Sequence, residues 1–235
     1  MNEPILALDF SSGKAVNQFL QHFQGKKLFV KVGMQLFYRE GPAIIEHLKE
    51  EGHRLFLDLK LHDIPNTVKQ AMKGLASLGV DMVNVHAAGG KRMMEAALEG
   101  LEAGTKSGSK RPICIAVTQL TSTSENVMQE ELRVKGTMEE VVLHYASLAK
   151  ASGLDGVVSS AFEVPEIKDK LGNHFVAVSP GIRLKDDRTD DQVRVVTPKK
   201  AKQLGCDYIV VGRSITKSEN PIEAYERVKQ EWKAY

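Results

Sequence analysis

Arg54-Leu55-Phe56-Leu57-Asp58-Leu59-Lys60-Leu61-His62-Asp63-Ile64-Pro65-Asn66-Thr67 passes from an apolar, strand-like run through a charged edge into a helical pattern. Side chains of a strand alternate between faces, so Asp58 and Lys60 project the same way. Asp63 lies far enough along the following loop to curl back or to reach a neighbouring chain. Beyond it, Val68, Met72, Leu75 and Ala76 recur at helical spacing and mark one buried face. Such a cluster is ordinarily a solvated ion-pair patch worth about 0 to 1 kcal/mol. Whether it is more depends on the rest of the chain.

Working outward, short β-rich runs alternate with amphipathic stretches from end to end, the pattern of parallel strands joined by helical crossovers. Eight runs qualify as strands, over 5–10, 28–32, 54–59, 82–86, 113–118, 156–159, 175–179 and 208–212. Thr197-Pro198 and Asn220-Pro221 each place an N-cap before a proline at the first helical position, and Thr137 with Glu140 makes a capping box. Gly25, Gly52, Gly79, Gly153, Gly172 and Gly205 stand where helices should stop. Tyr225, Val228 and Trp232 mark a further buried helical face. These units predict an α/β fold, a single (β/α)8 TIM barrel over residues 1–235, without linker or low-complexity tract. A doubly wound open sheet is disfavoured because Asp9-Phe10-Ser11-Ser12-Gly13 stands where a GxGxxG would follow the first strand. Two long connections, 119–136 and 180–196, follow strand C-termini and are the candidate lids; the second carries Arg183, Lys185, Arg188 and Gln192.

The 235 residues are 42% hydrophobic, ample for one core. Lysine and arginine total 32 against 30 acidic residues, and a net charge of +2 gives no broad field for steering nucleic acid. Cys114 and Cys206 lie in apolar strand-like runs, without a CxxC spacing or clustered histidines, and read as buried small hydrophobes in a reduced, cytoplasmic setting. Met1-Asn2-Glu3-Pro4 lacks a basic region and a long apolar run, and nowhere do about eighteen apolar residues follow one another, so neither secretion nor membrane insertion is expected.

With the strands so placed, their C-terminal ends carry Asp9, Lys31, Asp58, Lys60 and His86, with Arg213 just after the eighth. Barrel interiors are filled by branched apolar residues, and unpaired buried charges cost several kcal/mol, so such a ring implies mutual pairing around a polar ligand. Val211-Gly212-Arg213-Ser214 resembles a phosphate site: glycine lets backbone N–H groups approach an anion and arginine can grip it bidentately. Asp9, Asp58, Asp63 and His86 could in principle ligate a metal, but two lysines in the same ring would repel a cation. His62 and His86 read as hydrogen-bonded structural residues. Lys60 is ill suited to Schiff-base chemistry, because flanking carboxylates favour its charged form; it reads as a fixed cation and proton donor. That suits chemistry that builds negative charge on carbon and quenches it with a proton.

Read together with Leu6-Ala7-Leu8-Asp9, Val30-Lys31-Val32-Gly33, Val117-Thr118-Gln119-Leu120-Thr121-Ser122, Pro180-Gly181-Ile182-Arg183 and Val211-Gly212-Arg213, the run from Asp58 to Thr67 resembles the orotidine 5′-phosphate decarboxylase family almost end to end. The resemblance implies metal-free, cofactor-free decarboxylation of orotidine 5′-phosphate to uridine 5′-phosphate (UMP) in de novo pyrimidine synthesis. By it, Lys31, Asp58, Lys60 and Asp63 form the catalytic network, with Asp63 and Thr67 donated across a homodimer interface. Asp9 and Lys31 fall to the ribose hydroxyls, the Thr121 loop to the pyrimidine edge, and Gln192, Gly212 and Arg213 to the phosphate. Ile64 and Pro180 wall the base, and Arg183 is a further binding residue.

Two rivals are separable. Magnesium-dependent sugar-phosphate lyases of the hexulose-phosphate synthase and ketogulonate-phosphate decarboxylase type share the Asp-x-Lys-x-x-Asp pattern but look for a carboxylate where this chain has Lys31. A non-catalytic phosphate-ligand sensor would need an output module, and no DNA-binding helix pair, basic tail or added domain is legible.

Overall fold

A computed structural model describes residues 3–185 and 195–234. Among them, eight parallel strands close in sequence order into a barrel: β1 (Ile5–Ala7), β2 (Phe29–Gly33), β3 (Arg54–Leu61), β4 (Met82–His86), β5 (Ile113–Val117), β6 (Gly156–Val158), β7 (Val176–Ser179) and β8 (Tyr208–Val211). The helices outside it are α1 (Gly13–Leu20), α2 (Met34–Glu40), α3 (Pro42–Glu50), α4 (Pro65–Ser77), α5 (Gly90–Gly104), α6 (Met138–Ala151), α7 (Val164–Leu171), α8 (Pro198–Gln203), α9 (Arg213–Thr216) and α10 (Pro221–Lys233). This is the (β/α)8 architecture expected from the alternation. Among the described residues no helix is long and apolar enough to cross a membrane.

The period-2 alternation sorts the core into two sets. Ile5, Ala7, Phe29, Phe56, Met82, Ile115, Val178, Tyr208 and Val210 pack together inside the barrel. Their neighbours Leu6, Val30, Leu55, Leu57, Val83, Val85 and Val157 face the helices. The stripes on α4 (Val68, Met72, Leu75, Ala76) and α10 (Tyr225, Val228, Trp232) are buried as their spacing predicts, and both cysteines are buried and free. Thr137, Thr197 and Asn220 each accept a backbone N–H at their helix start, and Thr137 with Glu140 completes the capping box.

Boundaries differ in informative ways. The expected first strand, 5–10, ends at Ala7, whereas β3 continues to Leu61. The β2–β3 connection holds two helices, split at Gly41, whose φ of 65° suits glycine. The 119–136 connection contains a π-helical turn, Val127–Glu131, that buries Met128. Of the second long connection, Ile182 and Val196 pair as a bridge, while Arg188 and Gln192 lie outside the described residues.

At the barrel's N-terminal rim one device recurs before β4, β6 and β8. Asp81 accepts the Leu55 N–H and the Lys49 ammonium, both at 2.8 Å. Asp155 accepts the Cys114 N–H at 2.7 Å and grips Arg111 through both oxygens at 2.6 and 2.9 Å. Asp207 accepts the Ala177 N–H at 2.7 Å and the Lys168 ammonium at 2.5 Å. Each acid ties its own strand to the preceding one, stiffening the floor beneath the mouth.

Candidate active site

Strand parity delivers Lys31 from β2, Asp58 and Lys60 from β3, and Asn84 and His86 from β4 to the inner face at the C-terminal mouth, and Asp9 joins from just beyond β1. There Lys31 Nζ donates to Asp9 Oδ1 at 2.9 Å and lies 3.2 Å from Asp58 Oδ2. Lys60 Nζ donates to Asp58 Oδ1 at 2.7 Å. Anion and cation therefore alternate along one row, Asp9, Lys31, Asp58, Lys60. The expected pairing of charges is present in these contacts, and Lys31 and Asp58 are both buried.

How β3 presents Lys60 depends on an irregularity. Leu57 pairs with Val83, but Leu61 pairs with Val85, so β3 carries extra residues between these points. Within that bulge Lys60 adopts φ 52°, the left-handed region, which costs a side-chain-bearing residue about 1–3 kcal/mol. Its N–H donates to Asn84 Oδ1 at 2.7 Å, and Asn84 Nδ2 donates to Asp58 Oδ1, also at 2.7 Å. Sequence reasoning passed over Asn84. The available signal was an amide at an inward position of an otherwise apolar strand.

Burial alone would raise the Asp58 carboxyl, but the Lys31 and Lys60 ammoniums and the hydrogen bonds from Lys60 and Asn84 outweigh it and hold Asp58 below its ordinary value. Burial alone would lower Lys31, and Asp58 with Asp9 more than reverses it, leaving the ammonium raised. A depressed acid contributes stability that is lost as pH falls through its folded value, and a raised base contributes stability that is lost as pH rises through its own. These two groups therefore remain charged between roughly pH 4 and pH 10. The His86 imidazole is pushed down by burial, then by His62 and Lys60, which favours its neutral form. His62 and His86 lie with ring centroids 5.7 Å apart.

The row borders a cavity of ≈ 270 Å³ with an apolar floor of Ala7, Phe56, Val158 and Val210. Thr121, Pro180, Arg183, Gly212 and Arg213 line the same cavity, so these candidates converge with Asp9, Lys31, Asp58 and Lys60. Arg183 Nη1 also donates to the Ile182 carbonyl at 3.1 Å. A second cleft of ≈ 200 Å³ reaches Lys31, Asp58 and Lys60 past Gly33, Met34 and Gln35. Three candidates do not line the cavity: Asp63, Ile64 and Thr67 are exposed, Ile64 at 68%, and Asp63 Oδ1 accepts its neighbour's N–H at 2.7 Å. Gln192 falls outside the described residues. Among the described residues no three histidine, cysteine, aspartate or glutamate side chains are grouped to hold a metal ion.

A profile of the Orotidine 5'-phosphate decarboxylase / HUMPS family matches residues 2–228. A Geobacillus sp. (strain WCH70) protein named Orotidine 5'-phosphate decarboxylase is 70% identical over 234 residues, covering 99% of this chain and 98% of that protein. A Bacillus cytotoxicus protein of the same name is 68% identical, covering 97% of this chain and 96% of its own length. The crystal structure of Orotidine 5'-phosphate decarboxylase from Lactobacillus acidophilus superposes with a TM-score of 0.88 at 43% identity, covering 100% of both chains.

Proposed function

Since the chain belongs to the orotidine 5′-phosphate decarboxylase / HUMPS family, we propose that it decarboxylates orotidine 5′-phosphate to UMP in pyrimidine synthesis, using no metal or cofactor. The observation that carries this reading is the paired row, with Lys60 Nζ 2.7 Å and Lys31 Nζ 3.2 Å from the two oxygens of Asp58 beside the cavity. In the reaction the bond between C6 of the pyrimidine and its carboxylate breaks, CO2 leaves, and the electron pair stays on C6. The Lys60 ammonium stabilises that carbanion and transfers a proton to it, to be reprotonated from solvent. Asp58 holds Lys60 charged and oriented.

At an effective dielectric near 20, two unit charges about 4 Å apart interact by roughly 4 kcal/mol, about three powers of ten in rate. The rest of the acceleration is assigned to binding remote from C6. Asp9 and Lys31 take the ribose hydroxyls, the Thr121 loop the pyrimidine edge, and Gly212, Arg213 and Gln192 the phosphate. Pro180 flanks the base within the cavity, and Arg183 is a further binding residue. Ile64 can reach the base only from a second copy of the chain, because it is exposed and does not line the cavity of its own barrel. Asp63 and Thr67 come from a second copy of the chain, a reading supported by their exposure and by the cleft that reaches the charged row from outside. In that position Asp63 faces the departing carboxylate and raises the ground state.

The magnesium-dependent alternative is disfavoured by Lys31 Nζ, which sits between Asp9 and Asp58 where a divalent cation would need to bridge them. The test follows orotidine 5′-phosphate absorbance during turnover, with and without EDTA. Conversion to UMP unaffected by EDTA is expected, and activity abolished by chelation and restored by magnesium would favour the lyase. For Lys60→Ala the expectation is a fall in kcat of three or more powers of ten with UMP binding retained. Near-parental turnover would remove Lys60 from its assigned role.

A further inference from the structure

Lys60 is held by more than its carboxylate partner. Asn84 is almost fully buried, at 1% exposure, and both ends of its amide are engaged within one bulge. Oδ1 accepts the Lys60 N–H and Nδ2 donates to Asp58 Oδ1, each at 2.7 Å. Asp58 Oδ1 in turn accepts the Lys60 ammonium at 2.7 Å. A closed circuit thus links the backbone and the side-chain tip of Lys60 through Asp58 and Asn84. No other contact of the Lys60 amide is given by the β3–β4 register, which resumes only at Leu61.

We infer that Asn84 is a positioning residue for the decarboxylation: it pins the left-handed Lys60 backbone and orients the Asp58 carboxylate, so that the ammonium is pre-aimed at C6 before substrate arrives. Asn84 is buried and lines neither the cavity nor the second cleft, so its influence falls on the chemical step and spares nucleotide affinity. Pre-organisation of this kind is sensitive, because a displacement of about 1 Å can cost about a hundredfold in rate. The inference rests on the proposed role of Lys60.

Two substitutions test it. Asn84→Ala removes both contacts, and Asn84→Asp keeps an acceptor for the Lys60 N–H. When protonated, the new carboxyl also donates to Asp58 as the amide does; when ionised, it repels Asp58. The charged groups around position 84 are Lys31 on β2, Asp58 and Lys60 on β3, and His86 on β4 with His62 beside it. β5 adds only aliphatic side chains and the outward Cys114.

Steady-state kinetics on orotidine 5′-phosphate, UMP affinity and thermal midpoints should be measured from about pH 5 to about pH 8. The expected result for Asn84→Ala is a kcat lowered about 10- to 100-fold, with KM and UMP affinity within about threefold of parental. Asn84→Asp should approach parental kcat wherever its carboxyl is protonated, recovering towards low pH, while Asn84→Ala does not recover. Parental kcat in Asn84→Ala, loss of UMP affinity in step with kcat, or an Asn84→Asp variant as impaired as Asn84→Ala at every pH would each overturn the inference. If Asn84→Ala does not fold, the Asn84→Asp profile decides alone. A parental protein that fails to convert orotidine 5′-phosphate would instead refute the functional reading beneath it.

Discussion

Protonating His53 would break a bond on which the barrel floor depends, since its buried Nδ1 accepts the Leu28 N–H at 3.1 Å where β2 begins. Burial lowers this imidazole below its ordinary value, against the opposing pull of Glu51. The unfolded chain then takes up a proton first as pH falls, so stability should decline as pH drops below about 6.5. His86 acts in the same direction. The thermal midpoint is expected to be lower at about pH 5.5 than at about pH 7, and His53→Asn, whose amide oxygen can still accept, should flatten part of that slope. An unchanged slope would exonerate His53. The charged row behaves differently at the same scale: Asp58 is lowered and Lys31 raised, so both remain charged across this window.

The element that leads out of the charged edge is α4, and its seat on α5 is made by glycine. A Cβ added at Gly100 would lie 2.2 Å from the Lys69 carbonyl, and one at Gly104 2.1 Å from the Lys73 carbonyl, so the two helices approach backbone to backbone. Lys69 and Glu99 close the exposed side with a 2.6 Å ion pair. Gly74, on α4 itself, has nothing within 4 Å of such a Cβ. One chemical change should therefore have opposite signs at two sites. Gly74→Ala is expected to stabilise by about 0.5–1 kcal/mol, through helix propensity alone. Gly100→Ala should destabilise by about 1–3 kcal/mol, through overpacking. Urea unfolding of both variants checks this; a stabilised Gly100→Ala would mean that the helices separate without cost. Because Thr67, assigned above to the shared site, lies in the first turn of α4, the Gly100 variant should also lose activity.

For the whole molecule, the question is whether one barrel is a complete catalyst. Asp9, Lys31, Asp58 and Lys60 converge within the chain, whereas Asp63 and Thr67 stay outside the cavity. If a second copy supplies them, Asp58→Ala and Asp63→Ala chains should each be inactive, yet complement when mixed. Each heterodimer then holds one intact site and one doubly defective site, so random exchange should restore about a quarter of parental activity. No recovery despite proven subunit exchange would show that the site is not shared. Much of this molecule is local in origin and so could be read along the chain. The strand-helix alternation, the caps at Thr137, Thr197 and Asn220, the stripe on α4 and the inward parity of Asp58 and Lys60 follow from periodicities spanning a few residues. Other features exist only where distant segments meet. Asn84 acts on Lys60 because the β3–β4 register slips, Gly100 matters because another helix's carbonyls press on it, and Asp81, Asp155 and Asp207 clamp strands that precede them in sequence. Pairing register and interhelical distance are set by the closure of the whole barrel, which no short window of sequence contains.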